Sequence, residues 1–176
     1  MIIGLSGYAR SGKDTLAGML MGLYKYENKA FANPIRDLLY EMNPMVKEGY
    51  RVQGVVDSYG WEEAKVSFPE IRTLLQNLGV GARNIFNDQF WVSQALSGVS
   101  EGDKIVITDV RFPNEAAAIK NLGGQIWRIK RLGIDAANSH ISETAMDDYP
   151  VDQIFINNGT VEDLMLLLQT RMRQFA

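Results

Sequence analysis

The chain has 176 residues, 46% of them hydrophobic and 22% charged, with a net charge of −3, one histidine and no cysteine. That length suits a single well-buried core, and the composition is that of an ordinary globular protein. Disulfides, thiol chemistry, thiolate metal sites and multi-histidine cages are excluded; a general electrostatic grip on DNA or RNA is not expected. With no basic, apolar leader and no long apolar run, the expectation is a cytoplasmic protein without membrane attachment.

The apolar opening Met1-Ile2-Ile3-Gly4-Leu5 reads as a strand running into GYARSGKDT at residues 7–15. Gly7, four variable residues, Gly12 and Lys13 fit the Walker A spacing, in which backbone N–H groups wrap phosphates and the lysine reaches the β and γ groups. The helix that follows carries Leu16, Leu20, Leu23 and Tyr24 and would add its positive N-terminal end to the anion site. One feature departs from the general pattern: Asp14 follows the lysine where Ser or Thr is usual, and the hydroxyl arrives at Thr15.

Farther along, Lys29–Ala32 is a short strand candidate, Asn33-Pro34 punctuates it, and a helix runs from Ile35 to Met42. Residues 43–68 mix Pro, Gly and polar residues, so they read as a long insertion with at most a hairpin or a helical turn. Ile71, Leu74, Leu75 and Leu78 recur at helical spacing, and another helix is expected over about Asp88 to Leu96. Lys104–Asp109 reads as a buried strand ending in a carboxylate, then come a helix from about Asn114 to Asn121, a strand Gln125–Lys130, and an irregular segment 131–150. A last strand near Gln153–Asn157 and an amphipathic helix with Val161, Leu164, Met165, Leu168 and Met172 close the chain. Alternation of strand and helix argues an α/β fold with a mostly parallel sheet of about five strands and helices on both faces.

In such sheets ligands gather beyond the carboxyl ends of the strands, which puts the glycine loop, Asp109 and Arg131 on one rim. Asp109 is where a Walker B type carboxylate would hold magnesium, directly or through water, and it could equally cap the Arg111-Phe112-Pro113 bend. With no cysteine and one histidine, any metal is expected on oxygen ligands. Phosphoryl transfer between phosphates needs fixed cations, and Arg10 in the loop, Arg36 opening a helix, Arg72 and Arg131 are placed to supply them. Gln76, four residues after Arg72, could read a base edge. Arg83, Arg111 and Arg128 are further candidates, but in a strand like Gln125–Lys130 alternating basic residues could simply lie on a solvated face, and Arg131 at the strand end is favoured over Arg128. Trp61, in the insertion, is a better stacking candidate than Phe90 and Trp91, which read as packing residues. His140 is not needed as a base, because a phosphate acceptor is already anionic; Ser142 with Glu143 could start a helix or bind a sugar hydroxyl or base.

Taken together, SGYARSGKDT at 6–15, FANPIRDLL at 31–39, GWEEAK at 60–65, IRTLLQNLG at 71–79, ITDVRFPNE at 107–115, HISE at 140–143 and INNGTVEDL at 156–164 resemble the bacteriophage deoxynucleoside monophosphate kinases, a branch of the P-loop nucleoside monophosphate kinase group. The loop by itself marks only the superfamily; its RSGKDT form with DVRFPNE and HISE in this order is far more specific, and Asp14-Thr15 is normal in that group. The resemblance implies a single P-loop domain with an acceptor-binding insertion at about 43–68 and a lid-like segment at about 131–150. It implies ATP- and magnesium-dependent phosphorylation of deoxynucleoside 5′-monophosphates to diphosphates, for DNA precursor synthesis in the host cytoplasm. By the same resemblance Arg10, Ser11, Gly12, Lys13, Asp14 and Thr15 would hold ATP, with Asp14, Thr15 and Asp109 toward the metal and Lys13, Arg10 and Arg131 as catalytic cations. Ile35, Arg36 and Arg72 would face the acceptor, with Trp61, Gln76 and Glu143 matched by motif alone. The readings left open are another small-molecule kinase of the group, such as a dephospho-coenzyme A or phosphomevalonate kinase, and a noncatalytic nucleotide-binding switch. A homodimer is compatible with a small enzyme of this group.

Overall fold

The computed structural model describes residues 1–47, 49–135 and 144–175. In chain order the elements are β1 (Ile2–Ser6), α1 (Lys13–Tyr24), β2 (Glu27–Lys29), α2 (Asn33–Met42), β3 (Met45–Lys47), β4 (Tyr50–Arg51), α3 (Val52–Ser67), α4 (Pro69–Ile85) and α5 (Phe90–Ala95). There follow β5 (Ile105–Ile107), α6 (Pro113–Asn121), β6 (Gln125–Lys130), β7 (Gln153–Ile156) and α7 (Val161–Met172). The chain divides into two compact units, one formed by Met1–Ala30 with Gly98–Ala176 and the other by Phe31–Ser97.

The first unit is built on a five-stranded sheet in the order β2-β5-β1-β6-β7, every pair parallel. All five residues of β1 are buried, as expected of a central strand covered on both faces. Alternation sorts them: Ile3 and Leu5 join Trp127, Ile129 and Phe155 in a cluster with Leu16 and Leu20 of α1 and Leu164 and Leu168 of α7. Gly4 faces the other way, where a Cβ would lie 2.7 Å from Ile119 of α6 and 2.9 Å from Ile126, so glycine there lets α6 sit close on the sheet. The cap of α6 is a buried carboxylate: Arg111 N and Phe112 N donate to Glu115 Oε2 at 2.7 and 3.0 Å. At the sheet edge, Asp152 accepts from Ile126 N at 2.7 Å and from Lys120 Nζ at 2.6 Å, fastening the start of β6 to the end of α6.

The second unit is helical, with a small antiparallel β3–β4 ladder. Leu39, Val46, Val52, Val55, Ala64 and Ile71 form its core, and Trp61, Phe68, Leu74, Leu75 and Leu78 pack against it. Residues 43–68 are therefore far more ordered than the mixed composition suggests: a hairpin, then α3. The helix is hard to read because Gly60 takes φ 71 and ψ 164 inside it, breaking it into two pieces too short to show a sustained period. Val52, Val55 and Val56 supply the apolar stripe of the first piece. Asn43 and Gln53 clasp its start, Gln53 N donating to Asn43 Oδ1 and Asn43 Nδ2 to Gln53 Oε1, both at 3.0 Å. The helix expected around Ile71–Leu78 runs over the whole of Pro69–Ile85. Trp91 is buried with its Nε1 donating to Gly79 O at 2.9 Å, in keeping with a packing role.

Candidate active site

β1 delivers the chain into a loop whose shape needs glycine. Gly7 sits at φ 132 and Gly12 at φ 107, backbone that L side chains rarely adopt. A Cβ on Gly7 would lie 2.3 Å from Ile129 O, and one on Gly12 would lie 2.3 Å from Asn157 Nδ2. Arg10, between them, is also left-handed at φ 65. The loop closes on itself through Ser11 N to Tyr8 O at 3.2 Å, and Gly12 O receives Leu16 N at 3.0 Å as α1 begins. Lys13 folds back so that its Nζ donates to Gly7 O at 2.7 Å and Tyr8 O at 2.8 Å. Ser11 is buried and its hydroxyl has no hydrogen-bond partner, an arrangement that typically destabilises by about 1–3 kcal/mol unless something accepts or donates there.

The opposite wall comes from the turn after β7. Asn157 is buried, its N–H bonded to Lys130 O at 2.8 Å and its Nδ2 donating to Ser11 O at 2.8 Å, so one side chain ties this turn to the glycine loop. Asn158 Oδ1 accepts from Leu132 N at 2.7 Å, holding the chain just beyond Arg131. Thr160 and Asp163 form a reciprocal cap that starts α7. Between these walls lies a cavity of about 430 Å³, with Arg10, Lys13, Asp14, Thr15 and Arg131 on one part of its lining and Asn157, Gly159, Thr160, Val161 and Leu164 on another. Three cations and a helix N-terminus around one space suit a polyanion. Sequence reading attached no role to Asn157 or Thr160; the Asn-Gly turn and the Thr-x-x-Asp cap after a strand were the available signal.

Asp109 lies two residues past β5, half-buried, and is not among the residues lining the cavity. Among the described residues no three His, Asp or Glu side chains form a ready-made cation cage. Magnesium in nucleotide sites keeps waters and phosphate oxygens and takes only one or two protein ligands, and Asp14 and Thr15 offer that hard-oxygen donor set on the cavity wall. Arg128 does not lie on a solvated face. It is buried, and its guanidinium donates to Asp147 O at 2.8 Å, Tyr149 O at 3.0 Å and Met146 O, because the strand leads it under the turn at 144–149 rather than into solvent.

In the second unit Arg36 stands in the first turn of α2. Its Nη2 pairs with Glu62 Oε1 at 3.0 Å, and its guanidinium carbon is 6.0 Å from the Trp61 ring centroid. Lys65 meets the same carboxylate at 2.8 Å. The hydrogen bond from Lys65 lowers the Glu62 pKa; burial opposes it, and the charges of Lys65 and Arg36 lower it further. Ile35 is half-buried beside Gly79, and Arg72 and Gln76 are exposed one turn apart on α4. Thus Arg36 and Trp61 are brought together. His140, Ser142 and Glu143 lie outside the described residues.

The chain as a whole is similar to known proteins. The family model for deoxynucleotide monophosphate kinase matches residues 62–167. A protein of Acanthamoeba polyphaga mimivirus that carries the deoxynucleotide monophosphate kinase name is 30% identical over 185 residues, covering 93% of this chain and 91% of its own. The deoxynucleotide monophosphate kinase of Enterobacteria phage T4 is 23% identical over 237 residues, covering 98% of both chains. Among solved structures, shikimate kinase from Bacteroides thetaiotaomicron superposes with a TM-score of 0.45 at 12% identity, over 98% of each chain. The five-stranded parallel sheet, flanked by helices and opened by the glycine loop after β1, is a P-loop fold. On the family model and the mimivirus relative together, this chain belongs to the deoxynucleotide monophosphate kinase family.

Proposed function

We propose that the protein transfers the γ-phosphoryl group of ATP to a deoxynucleoside 5′-monophosphate, giving ADP and the deoxynucleoside diphosphate. The observation that carries this reading is the cavity in which Lys13, Arg10 and Arg131 surround a loop whose left-handed glycines bring backbone N–H groups toward an anion. Family membership supplies the direction of the chemistry.

The chain's contribution is positioning and electrostatics. Lys13 exchanges the Gly7 and Tyr8 carbonyls for phosphate oxygens, trading neutral acceptors for charged ones. The Ser11 hydroxyl finds its partner in the same event. Arg10 and Arg131 offset charge spread over the transferring group, and the acceptor's phosphate oxygen bonds to the γ-phosphorus as the bond to ADP breaks. Asp14 and Thr15 on the cavity wall, with Asp109 assigned by its place just past β5, would hold magnesium, whose charge would neutralise triphosphate oxygens. On the second unit, Arg36 and Arg72 serve the acceptor phosphate, Trp61 offers a stacking face to the base, and Ile35 and Gln76 complete the acceptor group, to which Glu143 is assigned by motif. No strong general base is required, because the attacking oxygen is already anionic.

The test is ADP release from ATP and magnesium against each deoxynucleoside and ribonucleoside monophosphate, with dephospho-coenzyme A and phosphomevalonate alongside and product masses checked. ADP and a deoxynucleoside diphosphate in equal amounts are expected. Turnover with either of the last two acceptors alone, or none with any, overturns the assignment.

A further inference from the structure

Tyr8 is the one aromatic side chain in the phosphate loop, and neither the family match nor the chemistry above gives it a task. Its backbone carbonyl already takes two donors, Ser11 N at 3.2 Å and Lys13 Nζ at 2.8 Å. Its phenol reaches 139 residues along the chain to donate to Asp147 Oδ2 at 2.8 Å. Asp147 is itself presented by a fixed backbone. Arg128, buried on β6, donates to its carbonyl and to those of Met146 and Tyr149. Arg128 stands opposite Ser6 in the β1–β6 register, so the support for Asp147 begins beside the strand that ends in the loop. A continuous path therefore runs from β6 through Arg128, Asp147 and the Tyr8 phenol to the carbonyl that holds Lys13.

We propose that Tyr8 is a positioning residue whose phenol, anchored on Asp147, fixes the Gly7–Tyr8 carbonyls and with them the starting place of Lys13, and so sets the loop's affinity for a nucleotide phosphate tail. The hydrogen bond to Asp147, burial and the charges of Asp147 and Asp135 raise the Tyr8 pKa, with Arg128 opposing, so the phenol stays protonated and keeps its donor. A loop held at φ values of 132, 65 and 107 departs from the conformations most chains prefer, and an anchor on Asp147 narrows the conformations that must be lost on binding. The proposal rests on the reading of this loop as the ATP phosphate site, but its first consequence is visible without nucleotide.

Four proteins make the test: Tyr8→Phe, Asp147→Ala, Asp147→Asn and the double variant Tyr8→Phe with Asp147→Ala. In the ligand-free state, the Ser11 amide should exchange with deuterium about 3- to 10-fold faster in Tyr8→Phe and Asp147→Ala, the factor that one net hydrogen bond supplies. Asp147→Asn keeps an acceptor oxygen and should remain near the parent. The dissociation constant of a non-hydrolysable ATP analogue, by calorimetry, should rise by the same factor, and KM for ATP should rise more than kcat falls. The double variant should be no worse than either single one, since both break one contact. The idea is overturned if Tyr8→Phe leaves Ser11 exchange and analogue affinity unchanged, or if the two singles multiply in the double variant. A parent protein that binds no nucleotide would refute the functional reading while the exchange arm still decided the role of Tyr8.

Discussion

In the proposed function the glycine loop of the first unit and the Arg36–Glu62–Lys65 group of the second would each meet a phosphate, yet they are made of different material. In the loop the working parts are main-chain groups with Lys13 and Arg10, locked between β1, β6 and the turn after β7. Contacts with Ile129 O and Asn157 Nδ2 leave no room even for a methyl group. In the second unit the working parts are long side chains on helix surfaces, with the shared Glu62 side chain 79% exposed. Backbone geometry tolerates almost no substitution, whereas an exposed ion pair contributes only about 0–1 kcal/mol and can be exchanged. The first arrangement suits a ligand common to a whole superfamily, and the second suits an acceptor that varies among its members.

The largest effect should come from Lys13, the loop cation bonded to the Gly7 and Tyr8 carbonyls. Lys13→Ala should lower kcat/KM by about 100- to 1,000-fold, the scale seen when a single donor to a developing charge is removed. Circular dichroism should show the fold intact, since Leu16 and Leu20 still bury α1 on the sheet. Turnover close to that of the parent would dissolve the contrast between the two regions. Next comes Gly7→Ala, which forces a Cβ against a main-chain oxygen at a left-handed φ; backbone strain of about 1–3 kcal/mol should lower Tm by several degrees and weaken ATP binding with it. A variant as stable as the parent would mean that the loop is not rigid.

The same difference in material explains what could be read from the sequence. The left-handed positions Gly7 and Gly12 were legible because a glycine loop of this kind imposes fixed spacing on consecutive residues, and the strand Ile2–Ser6 because its apolar run leads directly into that loop. Asn157 was not, since the contact of its Nδ2 with Ser11 O spans 146 residues and nothing local announces it. The role of Arg128 stays open in the sequence for a related reason: alternation along a strand says which face a side chain takes, not whether a later turn covers that face. In α3 the non-helical Gly60 hid a helix from periodicity. Arg36 and Trp61 were separately visible as candidates, but their approach to 6.0 Å depends on how α2 and α3 pack.

Two smaller effects sharpen the comparison from the side of the second unit. Arg36→Ala should raise KM for the acceptor about tenfold, roughly 1.4 kcal/mol, while leaving KM for ATP nearly unchanged. An equal rise in both constants would show that Arg36 does not distinguish the substrates. Gly54 lies in the first piece of α3, and a Cβ there meets nothing within 4 Å. Gly54→Ala should therefore stabilise the protein by about 0.5–1 kcal/mol, the opposite sign to Gly7→Ala. Thermal melting of the two alanine variants side by side tests whether the glycines of the two units differ in kind.

The smallest expected effect compares one carboxylate from each unit under acid. Burial would push the Asp152 carboxyl up, but the hydrogen bonds from Lys120 and Ile126 N–H, with the charges of Lys120 and Arg171, outweigh it and hold its pKa below the ordinary 3.8. Glu62 is held below 4.5 mainly by its hydrogen bond from Lys65. A carboxylate whose pKa is depressed by folding contributes its full stabilisation above the unfolded-state value and loses it as pH falls through the folded-state value. Asp152→Ala, which removes the acceptor as well as the charge, and Glu62→Gln should therefore both be less stable than the parent at about pH 6, and the gaps should shrink toward about pH 3 in urea unfolding. Salt separates them. The Glu62 gap rests on exposed charges and should nearly vanish in about 1 M salt, whereas the Asp152 gap should persist in part, because a main-chain N–H bond at 2.7 Å is not screened. Equal salt sensitivity in the two variants would show that Asp152, too, acts only as a surface charge, and that the fastening of β6 to α6 depends on packing alone.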